Sequence, residues 1–252
     1  MKLGAQLYSV RNYLQNERDL RISFQKLKGI GYENVQLSGA ADFPAELMRD
    51  LSLQYELPIV GTHVPMKRIV EDIDNLIREH RIYGCPVIGL GAMPKEYRGS
   101  REGLHAFLKL IAPAVDRILD AGLRFSYHNH DFEFLPFEDG GNAFDTMLEL
   151  LPHWQFIMDT YWVEFAGQSA VAYIEKIGAP RLTDIHFKDM ANDEERSICA
   201  CGQGRLDFSK IYDACRSVGV QNVLVEQDNA PNAPDPFAEM ATSFHHLRPI
   251  VS

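Results

Sequence analysis

Short apolar runs rich in β-branched residues alternate along the chain with longer stretches in which apolar positions recur every three to four residues. The runs 3–7, 34–37, 58–63, 87–90, 124–128, 155–159, 182–187 and 222–226 predict strands. Between them Leu20, Phe24 and Leu27, then Val70, Ile73 and Ile77, then Leu104, Leu108, Ile111 and Val115 each fall on one helical face. Phe144, Leu148 and Leu151, Ile211, Cys215 and Val218, and Phe237, Met240, Phe244 and Leu247 repeat the pattern later. Glycines 29 and 31, 122, 178 and 219 stand just before strands two, five, seven and eight, where helices stop. Strand then helix, repeated without a linker-like break, predicts an α/β chain folded as one (β/α)8 TIM barrel over residues 1–252. An open doubly wound sheet is the alternative, but no Gly-x-Gly-x-x-Gly follows the first strand, where a dinucleotide fold would carry it.

Composition narrows the function classes. The 252 residues suit one barrel, and 46% hydrophobic residues suffice for a large core. A formal charge of −10 repels polyphosphate, so no nucleic-acid partner is expected. No long apolar h-region or membrane-length apolar stretch occurs, which predicts a soluble, cytoplasmic protein without a membrane partner. Cys85, Cys199, Cys201 and Cys215 form no metal or redox spacing and read as reduced thiols, Cys85 and Cys215 as buried small hydrophobes.

The chemistry of such a barrel sits at the carboxyl ends of its strands. Here those ends read Gln6 to Ser9, Gln36, His63, His128-Asn129-His130, Asp159, His186 and Glu226. Imidazole and carboxylates converging on one rim suit a single divalent ion, Mn, Mg, Co or Zn, and the lack of thiolates speaks against a structural zinc. Such an ion would polarise a carbonyl or hydroxyl oxygen while a carboxylate moves a proton on the adjacent carbon. Asp159 could instead cap the following helix and His186 could be a core histidine, but Glu226 behind Val223-Leu224-Val225 needs a partner if buried.

The segments Gly4 to Arg11, Tyr127 to Phe134, Met158 to Trp162, His186 to Asp189, Gly202 to Phe208 and Val225 to Asp228, in this order, resemble the sugar phosphate isomerase/epimerase family of xylose isomerase-like barrels. That family also holds inosose dehydratases, keto-sugar epimerases and a DNA-repair endonuclease branch. The resemblance implies a metal held by Glu, Asp, His and Glu, with the two glutamates acting as bases on either face of the substrate. Asp159, His186 and Glu226 match. The first glutamate does not, because His128-Asn129-His130 stands where many epimerases have Glu-Asn-His; Glu133 is the expected replacement, with His128 the competing ligand. Gln36 and Trp162 are further departures, standing where relatives often carry Glu and His.

The expected site therefore comprises Glu133, Glu226 and His130 as catalytic groups and Glu133, Asp159, His186 and Glu226 as metal ligands. Tyr8, His63, His128, Trp162 and Lys188 are expected to contact substrate, the aromatics through the C–H faces of a sugar. The adjacent pair His245-His246 on the last helix is read as surface. The expected activity is a metal-dependent isomerase or epimerase acting on a small sugar, keto-sugar or keto-polyol, unphosphorylated because no phosphate-cradling loop is evident. The alternative is a dehydratase or 3-keto-glycoside lyase using the same ion and base. An endonuclease would need several metals and a basic surface, and a non-catalytic sugar-binding protein would need no metal. A homo-oligomer is possible.

Overall fold

The computed structural model describes residues 1–251. Eight parallel strands carry the fold: β1 Lys2–Gln6, β2 Val35–Leu37, β3 Ile59–Thr62, β4 Val87–Leu90, β5 Arg124–His128, β6 Gln155–Asp159, β7 Asp184–Phe187 and β8 Asn222–Val225. Each predicted strand is present, within two residues of its expected limits. The ladder runs β3-β2-β1-β8-β7-β6-β5-β4, and the two ends of that order meet where Val64 N–H donates to the Gly89 carbonyl at 2.8 Å. A side chain at Gly89 would put Cβ only 2.2 Å from the Thr62 carbonyl oxygen, so glycine there lets β3 and β4 close the barrel. The open-sheet alternative is thereby excluded.

Ten helices cover the barrel, among them α1 Glu17–Ile30, α2 Ala45–Gln54, α3 Met66–Glu71, α4 Ile73–Tyr83, α5 Arg101–Asp120, α6 Ala143–Leu150 and α7 Thr160–Phe165 among the described residues. The first is set by local chemistry at both ends. Asn16 Oδ1 accepts from Asp19 N–H at 3.0 Å, and Gly31 closes the helix at φ 119. Its buried face is Leu20, Ser23, Phe24 and Leu27, the expected stripe. The pattern Val70, Ile73, Ile77 proves to span two helices broken at Asp72, and Ile69 rather than Val70 faces the core.

A two-residue ribbon, Asp189–Met190 against Ile198–Cys199, follows β7. The loop after it wraps around the buried Asp189 carboxylate, which accepts from Met190, Gly202, Gly204 and Leu206 N–H at 2.8 to 3.1 Å. Those four bonds account for the Gly-Gln-Gly-Arg-Leu run. All four cysteines are free thiols, and no helix is long and apolar enough to cross a membrane among the described residues.

Behind β3, His80 is fully buried, with Nδ1 donating to the Leu76 carbonyl at 2.7 Å and Nε2 bonded to Thr62 Oγ1 at 2.9 Å. Burial lowers this imidazole from 6.5 to about 4. An unfolded chain takes up that proton near pH 6.5 and the folded chain only near 4, so acid favours unfolding across this window. We expect the contribution to reach on the order of 3 kcal/mol by pH 4. Urea denaturation at several pH values should show a shallower acid loss for His80→Gln than for the parent; parallel curves would show that His80 does not titrate this way.

Candidate functional site

The barrel ladder itself places the polar strand ends side by side. Asp159 and His186 are register partners between β6 and β7, and Gln6 and Gln36 are partners between β1 and β2. His128 ends β5, and Glu226 follows β8 directly. One donor atom from each of His128, Asp159, His186 and Glu226 lies within 4.8 Å of the others, all four residues buried. This is the only such cluster of three or more donors among the described residues.

Each imidazole is oriented from behind. His128 Nδ1 donates to the Gly91 carbonyl at 2.9 Å, which leaves the Nε2 lone pair turned inward. His186 Nε2 donates to Gln36 Oε1 at 2.6 Å, and Gln6 Nε2 donates to the same oxygen at 2.9 Å. His186 Nδ1 consequently faces Glu226 Oε2 at 2.9 Å and Asp159 Oδ2 at 3.7 Å. Asp159 Oδ1 caps α7 by accepting from Trp162 N–H at 3.1 Å, while Oδ2 points into the cluster. Asn129 supports it, accepting from Asp159 N–H at 3.0 Å.

Electrostatics at this rim are dominated by Lys188, whose ammonium is buried 2.9 Å from Asp159 Oδ2, 2.8 Å from Glu226 Oε2 and 3.1 Å from Asp228 Oδ2. Burial disfavours its charge, but the three carboxylates outweigh this and hold it well above the usual lysine value. Burial likewise works against ionised Glu226, which Lys188 and His186 nevertheless hold well below the carboxylate range. His186 is pulled down by burial and lifted more strongly by Glu226 and Asp159, to about 9. Its Nδ1 proton is the one a cation would displace.

His128 Nε2 is buried without a hydrogen-bond partner and faces Asp159 Oδ2 at 3.5 Å, an oxygen that the Lys188 ammonium also approaches at 2.9 Å. Lone pairs in that arrangement fit a cation between them. His128 opens on a cleft of about 580 Å³ that is also lined, among others, by Tyr8, His63, His130, Lys188, Glu226 and Asp228. His63 Nε2, His130 Nδ1 and Trp162 Nε1 are also buried without partners. His63 is lowered well below its usual value by burial and by His128 and His186, and burial, His128 and Lys188 lower His130 to about 2. Both are neutral hydrogen-bonding groups at ordinary pH. Trp162 packs 5.2 Å from the His130 ring and 5.4 Å from the Lys188 ammonium, while Tyr8 stands at the mouth under the Arg11 guanidinium at 4.1 Å.

Glu133 lies elsewhere, and the expected ligand set changes accordingly. It is fully buried in the turn after β5, where one carboxylate oxygen accepts a hydrogen bond from the Tyr127 hydroxyl and the other accepts from His130 N–H at 2.8 Å. Burial raises it to about 7, against those two bonds. A carboxylate with both oxygens committed to the turn is not free for an ion or a substrate carbon, and the geometry brings His128 into the cluster in its place. Gln6, Gln36 and Asp228 stand at the site although the sequence reading gave them no role there. Gln6 and Gln36 carried a signal as polar residues ending strands, and Asp228 as a charge two residues past Glu226. The pair His245-His246 lies in the last helix, away from the cluster.

No curated protein sequence matches the chain. Among solved structures, a sugar phosphate isomerase/epimerase from Parabacteroides distasonis ATCC 8503 aligns over 100% of both chains with TM-score 0.84 and 22% identity. An L-ribulose 3-epimerase aligns over 99% of this chain and 94% of its own, with TM-score 0.75 and 13% identity. An IolI protein with a bound zinc atom aligns over 100% and 98%, with TM-score 0.79 and 12% identity. These likenesses share the barrel, and the family model described as xylose isomerase-like TIM barrel matches residues 24–250, so the chain belongs to that family.

Proposed function

We propose that the protein is a metal-dependent enzyme that moves a proton on the carbon beside the carbonyl of a small sugar, keto-sugar or keto-polyol. The observation that carries this reading is the convergence of four buried donors, with His128 Nε2 unpartnered 3.5 Å from Asp159 Oδ2 and His186 and Glu226 beside them. His128, Asp159, His186 and Glu226 would hold the ion. Two imidazoles and two carboxylates suit Mn, Co or Zn better than Mg, which prefers all-oxygen sites. When bound, the ion would polarise a substrate carbonyl or hydroxyl oxygen.

The remaining steps belong to the side chains. Glu226, kept ionised by Lys188 and His186, takes the proton from the adjacent carbon. Lys188 stabilises the oxygen that gains charge and can return a proton to it. His63, His130 and Trp162 turn unpaired polar atoms toward hydroxyl groups, and Tyr8 offers a ring face to the sugar. The net charge of −10 and the single donor cluster among the described residues disfavour a multi-metal endonuclease.

Glu133 favours elimination over epimerisation. Inversion at carbon needs a base on each face, and the second expected glutamate is engaged by Tyr127 and His130. In elimination Glu226 removes the α-proton, the C–H electrons form the enolate, the β C–O bond breaks, and Lys188 protonates the departing oxygen. The product is an unsaturated ketone or its hydrate.

Elemental analysis of protein purified without chelator should find one divalent ion per chain. Asp159→Ala and His186→Ala should lose it with circular dichroism unchanged, whereas Glu133→Gln should keep it. Full metal retention in both alanine variants would put the ion elsewhere.

NMR of a keto-sugar turned over in deuterated water reads the reaction. Proton transfer predicts deuterium on the carbon beside the carbonyl, or the unsaturated product if a β-group leaves. Glu226→Gln should slow either by roughly two to four orders of magnitude. Turnover that gives neither deuterium nor an unsaturated product would rule this chemistry out.

A further inference from the structure

Beside the polar cleft lies a second cavity of about 300 Å³, under the 38–44 loop and between α2 and α4. The two share Ser38, Gly39, Ala40, His63, Val64 and Pro65 as lining, so one wall separates or joins them. Small residues, Gly39, Ala40, Ala41 and Ala45, leave the second cavity open, and Phe43, Met48 and Leu76 give it apolar sides.

Away from the shared wall, the polar groups that β3, α3 and α4 turn toward this cavity are paired with one another. Thr62 Oγ1 bonds His80 Nε2 at 2.9 Å, His80 Nδ1 bonds the Leu76 carbonyl at 2.7 Å, and Arg68 donates to both Glu79 oxygens at 2.9 and 3.0 Å. The shared wall and the cluster beyond it instead carry the orphan atoms, His63 Nε2 on the wall and His128 Nε2 and His130 Nδ1 in the polar cleft. A cavity whose inner polar groups are paired among themselves and whose sides are apolar favours an apolar group over a sugar hydroxyl.

We propose that the substrate is a keto-glycoside with an apolar, aryl-sized aglycone, the keto-sugar lying in the polar cleft and the aglycone in the cavity under the 38–44 loop. This rests on the reading of the polar cleft as a sugar site. An apolar cavity of about 150 Å³ admits benzene, so this one has room for a substituted ring or a small bicycle. A free sugar would leave it empty. In the elimination described above, the aglycone is the group whose C–O bond breaks and whose oxygen is protonated.

The test is titration calorimetry of manganese-loaded protein with phenyl β-D-glucoside and methyl β-D-glucoside, with saturation-transfer NMR of phenol alone. The phenyl glucoside should bind at least about tenfold more tightly than the methyl glucoside, from the apolar area its ring buries. Ala45→Leu and Ala41→Leu fill the cavity from different elements. Each should abolish the preference and the phenol signal while leaving metal content and methyl glucoside affinity unchanged. Equal binding of the two glucosides to the parent protein, or a preference that survives both variants, overturns the proposal. Phenol seated in the cavity with neither glucoside bound would instead overturn the sugar reading of the cleft, and the glycoside with it.

Discussion

Two carboxylates, Asp159 and Glu226, are held out of water at the strand ends, and the charge there has to be balanced. An isolated buried carboxylate would cost several kcal/mol. Lys188 lies within 3 Å of both, and His186 bonds Glu226 from the other side. The rest of the rim serves this arrangement. Thr160 Oγ1 holds the Lys188 backbone through both its N–H and its carbonyl, at 3.1 and 2.9 Å, and Asp189 organises the loop behind it. Gln36 and Gly91 turn the two imidazoles inward. Buried charges of this kind contribute little to stability compared with well-packed apolar residues, and their concentration at one rim marks the place where the fold gives stability for chemistry.

Much of this was legible in the sequence because a parallel barrel converts strand position into site position. Asp159, His186 and Glu226 could be picked out as polar residues ending apolar runs, and the ladder brings them together. His128 and Glu133 could not be separated that way. Both follow β5 closely, and which one faces the rim depends on the turn of residues 129–134. Tyr127 and His130 N–H anchor Glu133 beneath that turn, contacts that no periodicity reveals. Asp72 is another such case. A continuous apolar stripe predicted one helix, and the chain breaks there into two.

The replacement of a carboxylate by His128 changes more than a ligand. Under the proposed ligand set it lowers the negative charge of the cluster by one, leaves one face without a base and makes the Lys188 ammonium the principal proton donor at the rim. Where two opposed carboxylates would suit reversible proton transfer through a planar intermediate, one carboxylate and one ammonium suit removal of a proton and protonation of a leaving group. The two adjoining cavities carry the same asymmetry into binding. One presents unpaired imidazole nitrogens, and the other has apolar sides and inner polar groups, Thr62 with His80 and Arg68 with Glu79, that are already paired.

The central claim is that one ion sits between His128 Nε2, His186 Nδ1, Asp159 and Glu226. X-ray absorption spectroscopy of the zinc-loaded protein reads that inner shell directly, since imidazole rings give outer-shell scattering that carboxylates do not. The account predicts two imidazoles and two carboxylates, with one imidazole lost in His128→Ala. A single imidazole in the parent protein, unchanged by His128→Ala, would contradict it.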